Sequence, residues 1–138
     1  MFTEEMIAPC GLDCSLCWKA HQRENPCGGC MGPDENKPDF CRSRCTIILC
    51  ERLKREGYRF CDQCPEYPCE ACREREERYG SQYALKESPE GNLAMIREEG
   101  MERFLQRQRE QWSCPDCGGP ISVHYGVCRD CGREFGSR

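Results

Sequence analysis

The sequence is short of almost everything from which a soluble domain ordinarily builds a core. Cysteine aside, roughly a quarter of its 138 residues are apolar core formers. Charged residues make up 32% and mean hydropathy is −0.83, so apolar burial alone would struggle to offset the conformational entropy lost on folding. No run approaches the ~18 apolar residues of a membrane span, and no membrane association is expected. The opening residues MFTEEMIAPC carry two glutamates and no apolar stretch. No export signal is read there, and the chain is expected in a reducing cytoplasm. Histidine is scarce: His21 and His124 are the only two, and neither stands in a catalytic metal pattern such as HExxH. A nucleophile–base pair, a phosphate loop and paired carboxylates are all missing, which favours a protein that is not an enzyme. Basic surplus is missing too. Formal net charge is −4, which argues against a non-specific grip on nucleic acid.

What the chain has in abundance is cysteine. There are sixteen, twelve of them in CxxC pairs. A small domain that cannot fold on its apolar residues draws stability from disulfides or metal. CxxC pairs in a reducing compartment favour metal, and tetrahedral zinc above an iron–sulfur cluster. The clearest motif is Cys114-Pro-Asp-Cys117-Gly118-Gly119 followed by Cys128-Arg-Asp-Cys131-Gly132, with ten residues separating the two CxxC pairs. Ile121, Val123 and Tyr125 alternate between the pairs as a β-hairpin would, and the pattern predicts a zinc ribbon with four thiolates. Such a site is coordinatively closed and leaves no position for catalysis. His124, lying between pairs already supplied with four cysteines, is expected to be a surface or packing residue.

The remaining candidate ligands are Cys10, Cys14, Cys17, Cys27, Cys30, Cys41, Cys45, Cys50, Cys61, Cys64, Cys69 and Cys72. Cys14/Cys17 with Cys27/Cys30 is the natural grouping, since their separation is close to that of the ribbon pairs. The other eight leave their pairing open. The expected complement is three to four zinc ions. Four thiolate-bound zincs would take the net charge to about −12.

Three regions follow: residues 1–72, cysteine-rich and loop-rich; residues 73–112, helical and free of cysteine; residues 113–138, the ribbon. Thr46 to Arg59 reads as a short helix that Gly57 stops, flanked and entered by Cys45 and Cys50. The charges around Arg73–Arg78 read as a solvated helix face. Ser88-Pro89-Glu90 is a helix start. From it Leu93, Ile96, Gly100, Met101, Phe104, Leu105, Gln108 and Trp112 keep helical spacing, which predicts one amphipathic helix of about six turns, docked on the cysteine-rich part. The fold class expected is a small metal-stabilised α+β protein: an irregular zinc-knuckle region with short helices, an amphipathic helix, and a C-terminal ribbon hairpin.

The segments CGLDCSLC, CGGC, CTIILCERLKREGYRFCDQCPEYPC and NLAMIREEGMERFLQRQREQW together resemble the prokaryotic cysteine-rich domain of unknown function numbered 3795. The resemblance covers residues 7–112, and longer members end in a similar ribbon. It implies metal binding and carries no activity. By it, Cys10, Cys14, Cys17, Cys30, Cys45, Cys50, Cys61, Cys64 and Cys69 match the family pattern, and Cys41 and Cys72 are additions. The function expected first is a non-catalytic zinc-binding interaction or adaptor module with a protein partner. The second reading is nucleic-acid binding, through a patch of Trp112, Tyr125, Arg129 and Arg133 on the ribbon. The third is a redox, metal-handling or iron–sulfur role, which requires a reactive thiol outside a filled site.

Overall fold

The computed structural model describes residues 2–136. From the first cysteine to residue 69 the chain runs through loops, 3₁₀ turns and two short helices, α1 (Asp39–Ser43) and α2 (Glu51–Glu56). Proline and glycine density keeps these elements short. Gly57 ends α2 in the left-handed conformation, with φ 71°, as the sequence predicts. Longer helices follow: α3 (Glu70–Ser81), α4 (Pro89–Glu99) and α5 (Met101–Trp112). Ser88 caps α4, its hydroxyl accepting from the Gly91 N–H at 2.9 Å, with Pro89 in the first turn.

Two expectations are corrected. The helix read as continuous from Pro89 to Trp112 breaks at Gly100. Its φ of 94° and ψ of 158° lie outside the helical region, and its carbonyl opens α5 by accepting from the Phe104 N–H at 3.2 Å. The α+β class with a C-terminal hairpin is the second correction. The described residues are mostly helical and pair only as isolated antiparallel bridges, Ile7 with Asp13, Ser113 with Pro120, Ile121 with Cys128 and Val127 with Glu134. The reason lies in where the C-terminal backbone bonds go. Ile121 N–H donates to Trp112 at 3.0 Å and Val123 N–H to Leu16 at 3.0 Å, while the Val123 carbonyl accepts from Leu85 at 3.1 Å. Ser122 N–H does bond across to Val127 at 2.9 Å and Arg129 N–H to Pro120 at 2.9 Å. Pairing stops after these few residues, and the alternate groups of Ile121 and Val123 tie the short turn to other segments instead of extending it into a sheet.

The core has two parts. In the first, Cys10, Cys45 and Cys72 are buried with Ala8 and Ile47, and Cys14, Cys30, Cys61 and Cys69 pack around them. In the second, Leu16 from the N-terminal region meets Leu85, Trp112, Ile121 and Val123. The stripe of α4 and α5 turns inward, as expected: Leu93, Phe104, Gln108 and Trp112 are buried.

Between the helices and the N-terminal loop runs a buried polar network. Glu87 Oε2 accepts from the Asp13 N–H at 2.9 Å and from Asn92 Nδ2 at 3.0 Å. Asn92 Nδ2 also donates to the Gly11 carbonyl at 2.9 Å, and Gln108 Nε2 donates to Asp13 Oδ2 at 3.0 Å. Gly11 is required here, because its φ is 102° and a Cβ would strike the Pro89 carbonyl oxygen of α4.

Two outcomes follow. Phe104 is fully buried, so Phe104→Ala should cost ~3–5 kcal/mol in denaturant unfolding; an unshifted midpoint would mean that the stripe is not docked. Burial, and then Asp13, push the Glu87 carboxyl up to about 8, against ~4.3 in an unfolded chain. The fold thus favours the protonated form. Its stabilising contribution is complete below the unfolded value and is lost as pH rises through the folded one. Glu87→Gln cannot ionise, so the melting temperature of the wild type should fall relative to the variant between those two values. Parallel melting curves would refute this.

Candidate metal centre

The C-terminal cysteines converge because each CxxC pair is followed by a glycine in the left-handed region, Gly118 at φ 79° and Gly132 at φ 76°. These turns fold the backbone around sulfur: the Asp130 N–H lies 3.4 Å from Cys128 Sγ. Gly118 N–H closes one turn onto the Cys114 carbonyl at 2.8 Å and Gly132 N–H the other onto Cys128 at 3.0 Å. As a result the sulfurs of Cys114, Cys117, Cys128 and Cys131 all lie within 4.8 Å of one another. Cys114 to Cys131 is 3.7 Å and Cys117 to Cys128 is 3.4 Å. A zinc–sulfur bond of ~2.3 Å places tetrahedral sulfurs about 3.8 Å apart, so the cluster fits a single four-coordinate ion. Cys114 and Cys128 are buried while Cys117 and Cys131 are exposed, which sets the centre at the surface with one side toward solvent.

The N-terminal thiols are arranged differently. Cys14 and Cys30 Sγ lie 3.5 Å apart, one edge of the grouping expected for Cys14, Cys17, Cys27 and Cys30. Cys10, Cys45 and Cys72 share one buried cluster, with Cys61 and Cys69 packed against it. Among the described residues, the C-terminal four are the one set of three or more potential ligands drawn within 4.8 Å. All sixteen cysteines are free of disulfides. Burial pushes the Cys10 thiol well above its ordinary range and Cys41 up to about 12.

Arg75 is the residue that the sequence pattern hid. The charged run from Arg73 to Arg78 reads as a solvated face, yet Arg75 is 5% exposed. Its Nη2 donates to Cys45 Sγ at 3.4 Å and its Nη1 pairs with Glu74. The signal available was position alone: Arg75 lies one helical turn after Cys72, on the face that Cys72 buries. His124 is a packing residue, as read from the sequence, its ring set edge-on to Tyr79 and Tyr83. Burial lowers its pKa to about 4. Of the aromatic and basic patch expected on the ribbon, Tyr125 is exposed and Trp112 is buried, and Arg129 and Arg133 pair with Asp130 and Asp116 at 2.9 Å each.

A family model described as "Protein of unknown function (DUF3795)" matches residues 6–74. The chain belongs to the DUF3795 family. The matched segment holds all twelve N-terminal cysteines and ends inside α3, short of the helices that the resemblance had included and of the C-terminal metal cluster. No curated protein and no solved structure matches the chain.

The C-terminal centre is open to a direct test. Cys128 is 2% exposed and central to the cluster. Cys128→Ser should lower the metal content seen by native mass spectrometry by one ion per chain, and an unchanged count would remove this centre.

Proposed function

We propose that the chain is a zinc-stabilised, non-catalytic interaction module of the cytoplasm, whose metal centres build the fold and whose surface recruits a protein partner. The observation that carries this reading is the set of four convergent sulfurs at Cys114, Cys117, Cys128 and Cys131. A four-thiolate zinc has no vacant position for substrate or water, so its contribution is folding energy and rigidity. The same role extends to the twelve N-terminal cysteines, because thiols buried among Ala8 and Ile47 have no apolar core large enough to replace them. Zinc suits thiolate sets of this spacing, and iron–sulfur is the competing assignment for the N-terminal region. Nucleic-acid binding is disfavoured by the net charge of −4 and by the pairing of Arg129 and Arg133 with aspartates.

Metal analysis of the purified chain decides the central claim. Three to four zinc ions per chain are expected, and stripping them should unfold the cysteine-rich region, since structural zinc supplies roughly 10 kcal/mol or more per site. A brown protein carrying iron and sulfide would overturn the zinc assignment. A circular-dichroism melt unchanged by chelation would overturn the structural role.

A further inference from the structure

Arg75 and Arg78 lie one turn apart on α3, and both guanidiniums reach Glu74. The Glu74 side chain is well exposed, at 44%, so this pairing alone would leave both arginines near the surface. Arg78 stays there in part, with 24% of its side chain exposed, while the Arg75 side chain falls to 6%. The Arg75 guanidinium lies 5.2 Å from the centroid of the Phe40 ring, and its Nη2 donates to Cys45 Sγ at 3.4 Å. Cys45 is buried together with Cys10 and Cys72, and Cys14 and Cys30 pack against the same cluster.

A second cation is buried beside these cysteines. Lys37 Nζ donates to the Cys30 carbonyl at 2.9 Å and to Asp34 Oδ1 at 2.8 Å. Among the described residues, Lys37 and Arg75 are the two lysine or arginine side chains that are buried. Both bond a cysteine of the same cluster.

A guanidinium keeps its charge at any physiological pH, and burying it is costly unless negative charge meets it. Glu74 supplies some, but shares itself with Arg78. A neutral thiol is a weak acceptor and offsets little. A thiolate is anionic, and hydrogen bonds to a charged acceptor are roughly twice as strong as neutral ones. Several thiols packed together cannot all ionise unaided, because like charges in a low dielectric repel. A metal ion lets them do so. Four thiolates on one zinc still carry a net 2−, and one guanidinium on a ligand sulfur halves that charge.

We propose that Arg75 is the counter-charge of an N-terminal metal–thiolate centre in which Cys45 is a ligand, its Nη2–H donating to the metal-bound sulfur. The proposal rests on the zinc reading of the N-terminal cysteines and adds a residue outside them that sets how firmly one ion is held. Arg75 acts through Cys45 and is therefore a positioning residue.

Titration of the full zinc-loaded chain with EDTA, with bound ions counted by native mass spectrometry, tests it. The wild type should hold more ions than the single C-terminal one. Arg75→Met, with its fold checked by circular dichroism, should hold one ion roughly 10–100-fold more weakly and the others as before. Arg75→Lys, which keeps the charge but loses the fork of donors, should fall between the two. Cys45→Ser should lack that ion, and adding Arg75→Met to it should weaken none of those that remain. In the wild type, iodoacetamide labelling mapped by peptide mass should reach Cys45 only as an ion leaves. Labelling of Cys45 with every ion retained overturns the proposal without any variant. Unchanged zinc retention in Arg75→Met, or equal weakening of all N-terminal ions, overturns it while leaving the zinc reading intact. A wild type with one ion in all overturns both.

Discussion

Sulfur occupies the place that branched aliphatic side chains hold in most domains. Cys10, Cys45 and Cys72 are buried with Ala8 and Ile47, and a thiol packs as a small hydrophobe. It contributes far less buried area than leucine, so a core built on it is thin by the measure of apolar area. The deficit is made up at the sulfurs themselves if they bind metal, because a structural zinc contributes more than the net stability of a typical domain. Helices α1 and α2 are only five and six residues long, too short to stand without tertiary support; α1 carries Cys41, and α2 follows directly on Cys50.

A second constraint joins this cysteine-rich part to the helices. The Gly11–Asp13 loop is held by Glu87, Asn92 and Gln108, one group before α4 and one on each of α4 and α5. Every contact is a directional hydrogen bond in a buried setting, which fixes the register of the two parts more sharply than apolar packing would. Leu16, immediately beyond, carries the connection to the C-terminal segment through its contact with Val123 and Trp112. The network leaves Glu87 a buried carboxyl with Oε2 engaged and Oε1 without a hydrogen-bond partner.

The parts of this arrangement that were legible in the sequence are those fixed by local chemistry. The CxxC pairs with trailing glycines announce the C-terminal cluster, because the turn and the ligands lie within a few residues. Ser88-Pro89 announces the start of α4 and Gly57 the end of α2. What could not be read were outcomes of competition with distant segments. Gly100 fits a helical stripe as well as it fits a break, and its positive φ lets α4 and α5 fold against each other with Asn92 and Gln108 both on the Gly11–Asp13 loop. The alternation of Ile121, Val123 and Tyr125 suits a hairpin. Pairing across the turn is limited to Ser122 with Val127 and Pro120 with Arg129, while Ile121 and Val123 bond outward to Trp112, Leu16 and Leu85. Arg75 looked solvated because its run is charged, and its inward turn depends on where Cys45 arrives from thirty residues away.

The C-terminal cluster also bears on a cavity of about 430 Å³ between the cysteine-rich segment, α3 and the C-terminal segment. Val123, His124 and Tyr125 all line it, and all lie in the stretch between Cys117 and Cys128, the inner pair of the metal cluster. That stretch is closed by a tight turn, with Ser122 N–H on Val127 at 2.9 Å and Gly126 N–H on Ser122 at 2.8 Å. Ala84 N–H reaches the His124 carbonyl at 3.3 Å, which draws the turn against the residues just beyond α3. An ion that fixes Cys117 and Cys128 fixes both ends of the turn, and so the orientation of the His124 ring toward Tyr79 and Tyr83. An ion bound there would thereby orient side chains that it does not touch, through a connection of ten residues between Cys117 and Cys128.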